Sequence, residues 1–191
     1  MAMTRRSVLR LFLGLGGTIL GARMVRAFWL RQPLPRPLRN PEIQVFKSRR
    51  LLELRAEGGV VRTYRIGLGT SPSGPKRRQG DRRTPEGTYF ICNKNPRSQF
   101  YLSLQVSYPN EDDAALGLAG GLITTADHER IVSASRRRGI PPAGTRLGGE
   151  IFLHGRGSGS DWTWGCVALD DPDIKELYDA VPVGTPVRIF P

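Results

Sequence analysis

Between Ile43 and Leu68, apolar and polar residues alternate in three short runs: IQVF (43–46), LLELRA (51–56) and VVRTYRIGL (60–68). A period of two puts every second side chain on one face, the signature of half-buried strands. KSRR and Glu57-Gly58-Gly59 separate the runs and suit hairpin turns. TYFIC (88–92) and YLSLQVSYP (101–109) continue the pattern, with Pro109-Asn110 closing the second run. The intervening TSPSGPKRRQGDRRT (70–84) is polar and rich in glycine and proline, and is expected to be a loop.

Two segments carry helical signals instead. Over Thr125–Arg138 a helix is expected, capped by Thr125 or Asp127, with three arginines in its last turn and Gly139 then Pro141 as stops. In DDPDIKELYDAV, Asp171 is the expected N-cap and Pro172 falls in the first turn. Ile174, Leu177, Tyr178 and Val181 share one face of that helix. Glu150–Leu153 is expected as a strand that delivers His154, and Gly184-Thr185-Pro186 turns into a last strand, VRIF. No internal repeat is visible. The sum is a mostly-β domain with one or two short helices packed on it.

Charge changes the picture at the N-terminus. The chain has 191 residues and a net charge of +12, but residues 1–40 hold eight arginines and no acid, which leaves about +4 for 41–191. MAMTRRSVLR is basic, and LFLGLGGTILGA is an apolar run too short for a standard membrane span. Val25-Arg26-Ala27 serves as a cleavage site, so residues 1–27 are expected to be an export signal, or a membrane anchor if uncleaved. Thr4-Arg5-Arg6-Ser7-Val8-Leu9-Arg10 resembles a twin-arginine signal, with an ordinary secretion signal as the alternative. Residues 28–40 read as a proline- and arginine-rich linker, extended and poorly packed, ahead of a folded domain at 41–191. A periplasmic or cell-envelope location follows. Targeting and a solvated surface account for the arginines, so no nucleic-acid partner is expected; a basic body also suits an acidic polymer as substrate.

The candidate chemistry lies in LHGRGSGSDWTWGCVALDDPD (153–173), which holds one of two histidines, His154, and one of two cysteines, Cys166. A thiol becomes a nucleophile when a neighbouring group generates its thiolate, and histidine is the usual device. Gly165 before the cysteine permits a tight turn in which backbone N–H groups can point at one spot, as an oxyanion hole needs. The spacing alone leaves open an unrelated pair in a polar loop. A zinc site from His128, His154, Cys92 and Cys166 is disfavoured, because the chain has no closely spaced ligand pair. A Cys92–Cys166 disulfide would silence Cys166; the alternating context of Cys92 suggests a small core residue instead.

These residues carry a resemblance. GDRRTPEGTYFI (80–91), SLQVSYPN (103–110), IFLHG (151–155), DWTWGCVALDDPDIKELYDAV (161–181) and GTPVRIF (184–190) occur in the order found in the YkuD-type L,D-transpeptidase family, over most of 41–190. The resemblance implies a β-rich, sandwich- or barrel-like fold. It makes Cys166 the acyl-accepting nucleophile, His154 its base, and the amides near Trp164 and Gly165 the oxyanion hole. Thr163 occupies the family's Ser/Thr position. Trp162, Thr163, Tyr108 and Gly155 are secondary candidates for substrate contact, and Arg82, Arg83 and Arg136–Arg138 are candidates for meeting acidic stems. Thr84, Pro85 and Gly87 match the family's T-P-x-G turn. One position departs: the family's second histidine, two residues before the cysteine, is Trp164 here. The implied partners are peptidoglycan stem peptides, with a lipoprotein lysine as an alternative acceptor. No metal or cofactor is implied, the chain is expected to be a monomer, and only the N-terminal segment would touch a membrane. A hydrolase or a non-catalytic peptidoglycan-binding module of the same family are the alternatives.

Overall fold

The alternation in sequence becomes an alternation in burial. This is a computed structural model, and it describes residues 32–191, so the expected export signal at 1–27 lies outside the described residues. Ile43 and Val45 of β1 (Glu42–Phe46), and Leu52 and Leu54 of β2 (Leu51–Ala56), are fully buried between less buried neighbours. Each such side chain contributes about 1.5–3 kcal/mol by leaving water. These strands form a hairpin, with Ile43 opposite Leu54 and Val45 opposite Leu52. β3 (Gly59–Arg65) adds antiparallel to β2.

The remaining strands are β4 (Gly87–Ser98), β5 (Tyr101–Val106), β6 (Ile151–His154), β7 (Val167–Ala168) and β8 (Pro186–Phe190). Their order in the eight-stranded sheet is β3-β2-β1-β8-β4-β5-β6-β7. β4 joins two halves: Gly87–Phe90 pairs with β8, and a bulge after Ile91 hands the strand over to β5. Beyond β3 the chain meets the far edge, where Gly67 bridges Ala168 and Gly69 bridges Thr163. This contact closes the sheet on itself and gives the mostly-β fold its barrel-like character.

Among the described residues there are three helices, one more than the sequence suggested: α1 (Glu111–Ala119), α2 (Thr125–Arg136) and α3 (Asp171–Ala180). The unexpected α1 buries only Ala114 and Gly117, too little for an apolar stripe, and is fixed at its start by a reciprocal cap between Asn110 and Asp113. α2 is capped by Thr124, one residue before the expected Thr125, and Asp127, the other expected residue, completes a reciprocal cap with it. α3 is capped by position 170 rather than 171; the Asp170 carboxylate makes no cap bond and holds Ser158 instead.

The main core gathers side chains from the sheet and Ile174 and Leu177 of α3, while Ala114, Ile123, Ile131 and Leu147 form a second cluster under α1 and α2. The expectation of a poorly packed linker fails over its last residues. Leu34 is buried in the main core and Leu38 packs against it, because these two side chains supply the apolar area that the flanking prolines and arginines do not. Among the described residues no helix is long and apolar enough to cross a membrane.

Candidate active site

The site is assembled on two neighbouring parallel strands. β6 and β7 pair with Leu153 opposite Val167 and His154 opposite Ala168. Cys166, immediately before β7, therefore stands beside Phe152, and His154 lies two residues further along, on the same face of β6 as Phe152. The Phe152 N–H donates to Cys166 Sγ at 3.4 Å, and the thiol donates to the Glu150 carbonyl at 3.6 Å. Among the described residues the thiol's hydrogen-bond partners are thus backbone groups rather than the imidazole. Catalytic hydrogen bonds often tighten only once substrate is bound.

His154 is 2% exposed and held from three sides. Its Nδ1 lies 2.7 Å from the Gly155 carbonyl. A carbonyl only accepts, so Nδ1 carries the proton and Nε2 is left as the acceptor. Phe100 stacks on the ring with centroids 4.6 Å apart, and Trp162 meets it edge-on at 5.5 Å. Burial pulls the His154 pKa below the usual 6.5, and the bond to Gly155 opposes this in part. Burial pushes the Cys166 thiol up to about 11, offset in part by the Phe152 N–H and by the charge of Lys76. At neutral pH the resting pair is a thiol and a neutral imidazole, not an ion pair.

The segment linking the two residues is tied down along its length. Gly155 donates its N–H to Phe100, and a side chain there would meet Asp171 Oδ1 at 2.4 Å and the Phe100 carbonyl at 2.9 Å. Both backbone groups of Gly155 serve inside the protein, so it orients His154 and is not placed to contact substrate. Asp161 receives a bidentate pair from Arg50 and the Leu68 N–H, which holds its carboxyl below the usual carboxylate range against the effect of burial. Trp162 donates its indole N–H to the Gly157 carbonyl at 3.1 Å and packs on His154. Thr163 is buried; its hydroxyl donates to the Cys166 carbonyl at 2.7 Å and accepts the Gly165 N–H at 3.2 Å.

That last bond bears on the expected oxyanion hole. The Gly165 amide is directed to Thr163, which leaves the Trp164 and Cys166 N–H groups without an acceptor among the described residues. Gly165 itself has φ +126°, and a Cβ there would stand 2.6 Å from the Arg83 carbonyl, so the turn admits only glycine. Trp164 is 73% exposed, with the Arg82 guanidinium 5.3 Å from its ring centroid.

Tyr108 is a correction. It is 1% exposed and donates its hydroxyl to the Leu147 carbonyl, so it is a core residue and does not reach a cleft. Arg136, Arg137 and Arg138 turn to Glu111, Ser133 and the Gly184 carbonyl respectively, rather than to the thiol. Cys92 is free and buried, its thiol directed to the Gln105 carbonyl. Among the described residues no cluster of three His, Cys, Asp or Glu is arranged to hold a metal ion.

Two buried lysines were not legible as site-builders. Lys47 Nζ donates to the Gly74 and Thr84 carbonyls and pairs with Glu86 at 2.6 Å. Lys76 Nζ pairs with Asp81 at 2.8 Å, and Asp81 also accepts the N–H groups of Arg77, Arg78 and Arg83. Together they fold the 70–84 loop over the Cys166 turn. The Thr84 hydroxyl accepts the Gly69 N–H, in keeping with a structural role for the T-P-x-G turn.

Comparison with known proteins bears on the fold and the family. YafK of Escherichia coli (strain K12) is 36% identical over 84 residues, covering 41% of this chain and 34% of YafK. The matched segment is thus about a third of that relative's length. Bd1075 of Bdellovibrio bacteriovorus shares the fold with a TM-score of 0.52 at 24% identity, over 80% of this chain and 48% of its own. The helical cell shape determining protein Pgp2 of Campylobacter jejuni does so at 0.54 and 21%, over 78% and 46%. The family model of the YkuD L,D-transpeptidase catalytic domain matches residues 40–189. The chain belongs to the YkuD family of L,D-transpeptidase catalytic domains.

Proposed function

We propose that this protein is a peptidoglycan L,D-transpeptidase that works outside the cytoplasm, with Cys166 as nucleophile and His154 as base. The observation that carries the reading is the fixed tautomer of His154: Nδ1 is tied to the Gly155 carbonyl, so Nε2 is the ring's acceptor, on the strand next to Cys166. The basic, apolar N-terminal pattern supports the location.

In the first step Nε2 takes the thiol proton as Sγ attacks the carbonyl of the third residue of a stem peptide. The Trp164 and Cys166 N–H groups receive the oxyanion, each such donor contributing about 3 kcal/mol. The tetrahedral intermediate collapses, the amide C–N bond breaks, and the imidazolium returns its proton to the departing D-alanine. A thioester on Cys166 remains. An amine from a second stem, or a lipoprotein lysine, then attacks the thioester, gives its proton to His154 and releases the thiol.

Hydrolysis is the second reading. Trp164, 73% exposed where the family's commonest signature has a histidine, leaves a wet approach beside the thioester, and water as acceptor would make the protein an L,D-carboxypeptidase or amidase. Product analysis with a disaccharide-tetrapeptide separates the two. A cross-linked dimer identifies the transferase and a trimmed tripeptide the hydrolase. D-Alanine release that persists in Cys166→Ala would remove both.

A further inference from the structure

Glu150 lies beside the thiol and its side chain has no task in the fold. The residue is exposed, and its backbone carbonyl accepts the Cys166 thiol at 3.6 Å. Its φ is +56°, in the left-handed region that a long side chain enters only at a cost. Gly148 and Gly149 precede it, and a third glycine would take this conformation without strain. The carboxylate gives no structural return: it makes no hydrogen bond and no ion pair among the described residues. Strain of this kind collects at functional sites.

Two side-chain charges act on the Cys166 sulfur, the Lys76 ammonium and the Glu150 carboxylate. Lys76 is buried and committed to Asp81 and the Arg78 carbonyl. Glu150 is exposed, and no cation among the described residues neutralises it. A carboxylate is a poor neighbour for a nucleophilic thiol, because it raises the energy of the thiolate. It is a good neighbour for a thioester, which is neutral, when the second substrate arrives as a cation. The sign of the charge therefore fits the second half of the reaction and not the first.

We propose that Glu150 selects the acceptor: its carboxylate holds a primary ammonium group beside the Cys166 thioester, so that an amine captures the acyl group ahead of water. The inference rests on the proposed function and deepens it. A carboxylate is too weak a base to keep a proton from an alkylammonium, so the held ammonium gives its first proton to solvent. The free amine then adds to the thioester carbon and the C–N bond forms. His154 Nε2 takes the second proton, the C–S bond breaks, and the imidazolium returns that proton to the sulfur. Water carries no charge and gains nothing from Glu150, which offsets the wet approach beside Trp164.

The test is the fate of the acyl-enzyme formed by the full chain from a disaccharide-tetrapeptide. The acceptors are Nα-acetyl-L-lysine amide, a cation at about pH 8, and hydroxylamine, which is uncharged there. In Glu150→Gln the ratio of captured to hydrolysed product should fall about threefold to tenfold with the lysine acceptor, and should stay within about twofold of the parent with hydroxylamine. Glu150→Gly relieves the left-handed backbone and should show the same split, which separates lost charge from poor folding. An unchanged lysine ratio, or an equal loss with both acceptors, would overturn the selection. Labelling of Cys166 by a cationic and by a neutral methanethiosulfonate reads the same field without turnover. The parent should favour the cationic reagent and Glu150→Gln should not; a preference missing from the parent, or kept by the variant, would also overturn it. A parent chain that forms no thioester removes the proposed function and this inference with it, whereas a thioester whose fate ignores Glu150 removes this inference alone.

Discussion

The imidazole of His154 lies stacked on the ring of Phe100, with centroids 4.6 Å apart and planes inclined by 28°. The Phe100 carbonyl accepts the Gly155 N–H, and the Gly155 carbonyl in turn accepts Nδ1 of His154. One residue at the β4–β5 turn thus sets both the plane and the hydrogen bonding of the imidazole. Phe100→Ala should lower kcat by about tenfold or more, since small misplacements of a catalytic group cost up to about a hundredfold. KM should change little, and Phe100→Tyr should restore most of the rate. Steady-state D-alanine release measures both; an effect confined to KM would place Phe100 against substrate instead.

Thr163 joins the Gly165 amide to the Cys166 carbonyl through one hydroxyl. Thr163→Val keeps the shape and removes both bonds. With buried groups left unpaired, it should cost about 1–3 kcal/mol of stability, measured by denaturant unfolding, and should slow acylation. Unchanged acylation would show that the Cys166 turn holds its shape without the hydroxyl.

The pH dependence has opposite signs at the two ends. The Cys166 pKa is raised to about 11 by burial, so alkylation of the free protein by iodoacetamide should climb through pH 9 and level off only near 11. The folded state disfavours the thiolate, so this group's contribution to stability is complete below pH 9 and is lost as pH rises through the folded value. His154 is depressed below 6.5, so its contribution is present above 6.5 and is lost on acidification through the lower folded value; turnover should fall over the same acid range. A flat alkylation profile from pH 7 upward would contradict the neutral resting pair.

Asp81 and Lys76 form a buried ion pair, with side chains 10% and 3% exposed. Asp81→Asn leaves the Lys76 ammonium unpaired and should destabilise the domain by about 3–5 kcal/mol. The loss should appear as a lower unfolding midpoint, with faster proteolysis in the 70–84 loop. A midpoint within experimental error of the parent would show that the loop is held by Lys47 alone.

Much of this architecture was legible because burial follows a period of two. Ile43, Val45, Leu52 and Leu54 announce their face directly in the sequence. α1 was not legible, since a helix that buries only an alanine and a glycine leaves no apolar stripe; only Asn110 and Asp113, three apart, hinted at its cap. His154 and Cys166 stand out in the sequence through their motif, but Phe100 does not, because it sits in a strand turn distant in sequence and carries no polar chemistry. Nothing in the local sequence marks Lys47 and Lys76 as buried. The long-range partner of Lys47, Glu86, is 39 residues away, and nothing local marks that pairing. At 73% exposure Trp164 has room to be replaced, so Trp164→His should fold normally.

The central claim is that Cys166 is an acyl-accepting nucleophile. The most direct test is intact-mass analysis of the reduced, folded full chain mixed with a disaccharide-tetrapeptide and, separately, with a carbapenem, followed by peptide mapping. The account predicts a covalent adduct on Cys166 with each compound, release of D-alanine from the first, and neither in Cys166→Ala. A folded, reduced chain that gains no mass with either compound would contradict it, and would leave a protein that holds the fold and the residues of an L,D-transpeptidase without the reaction.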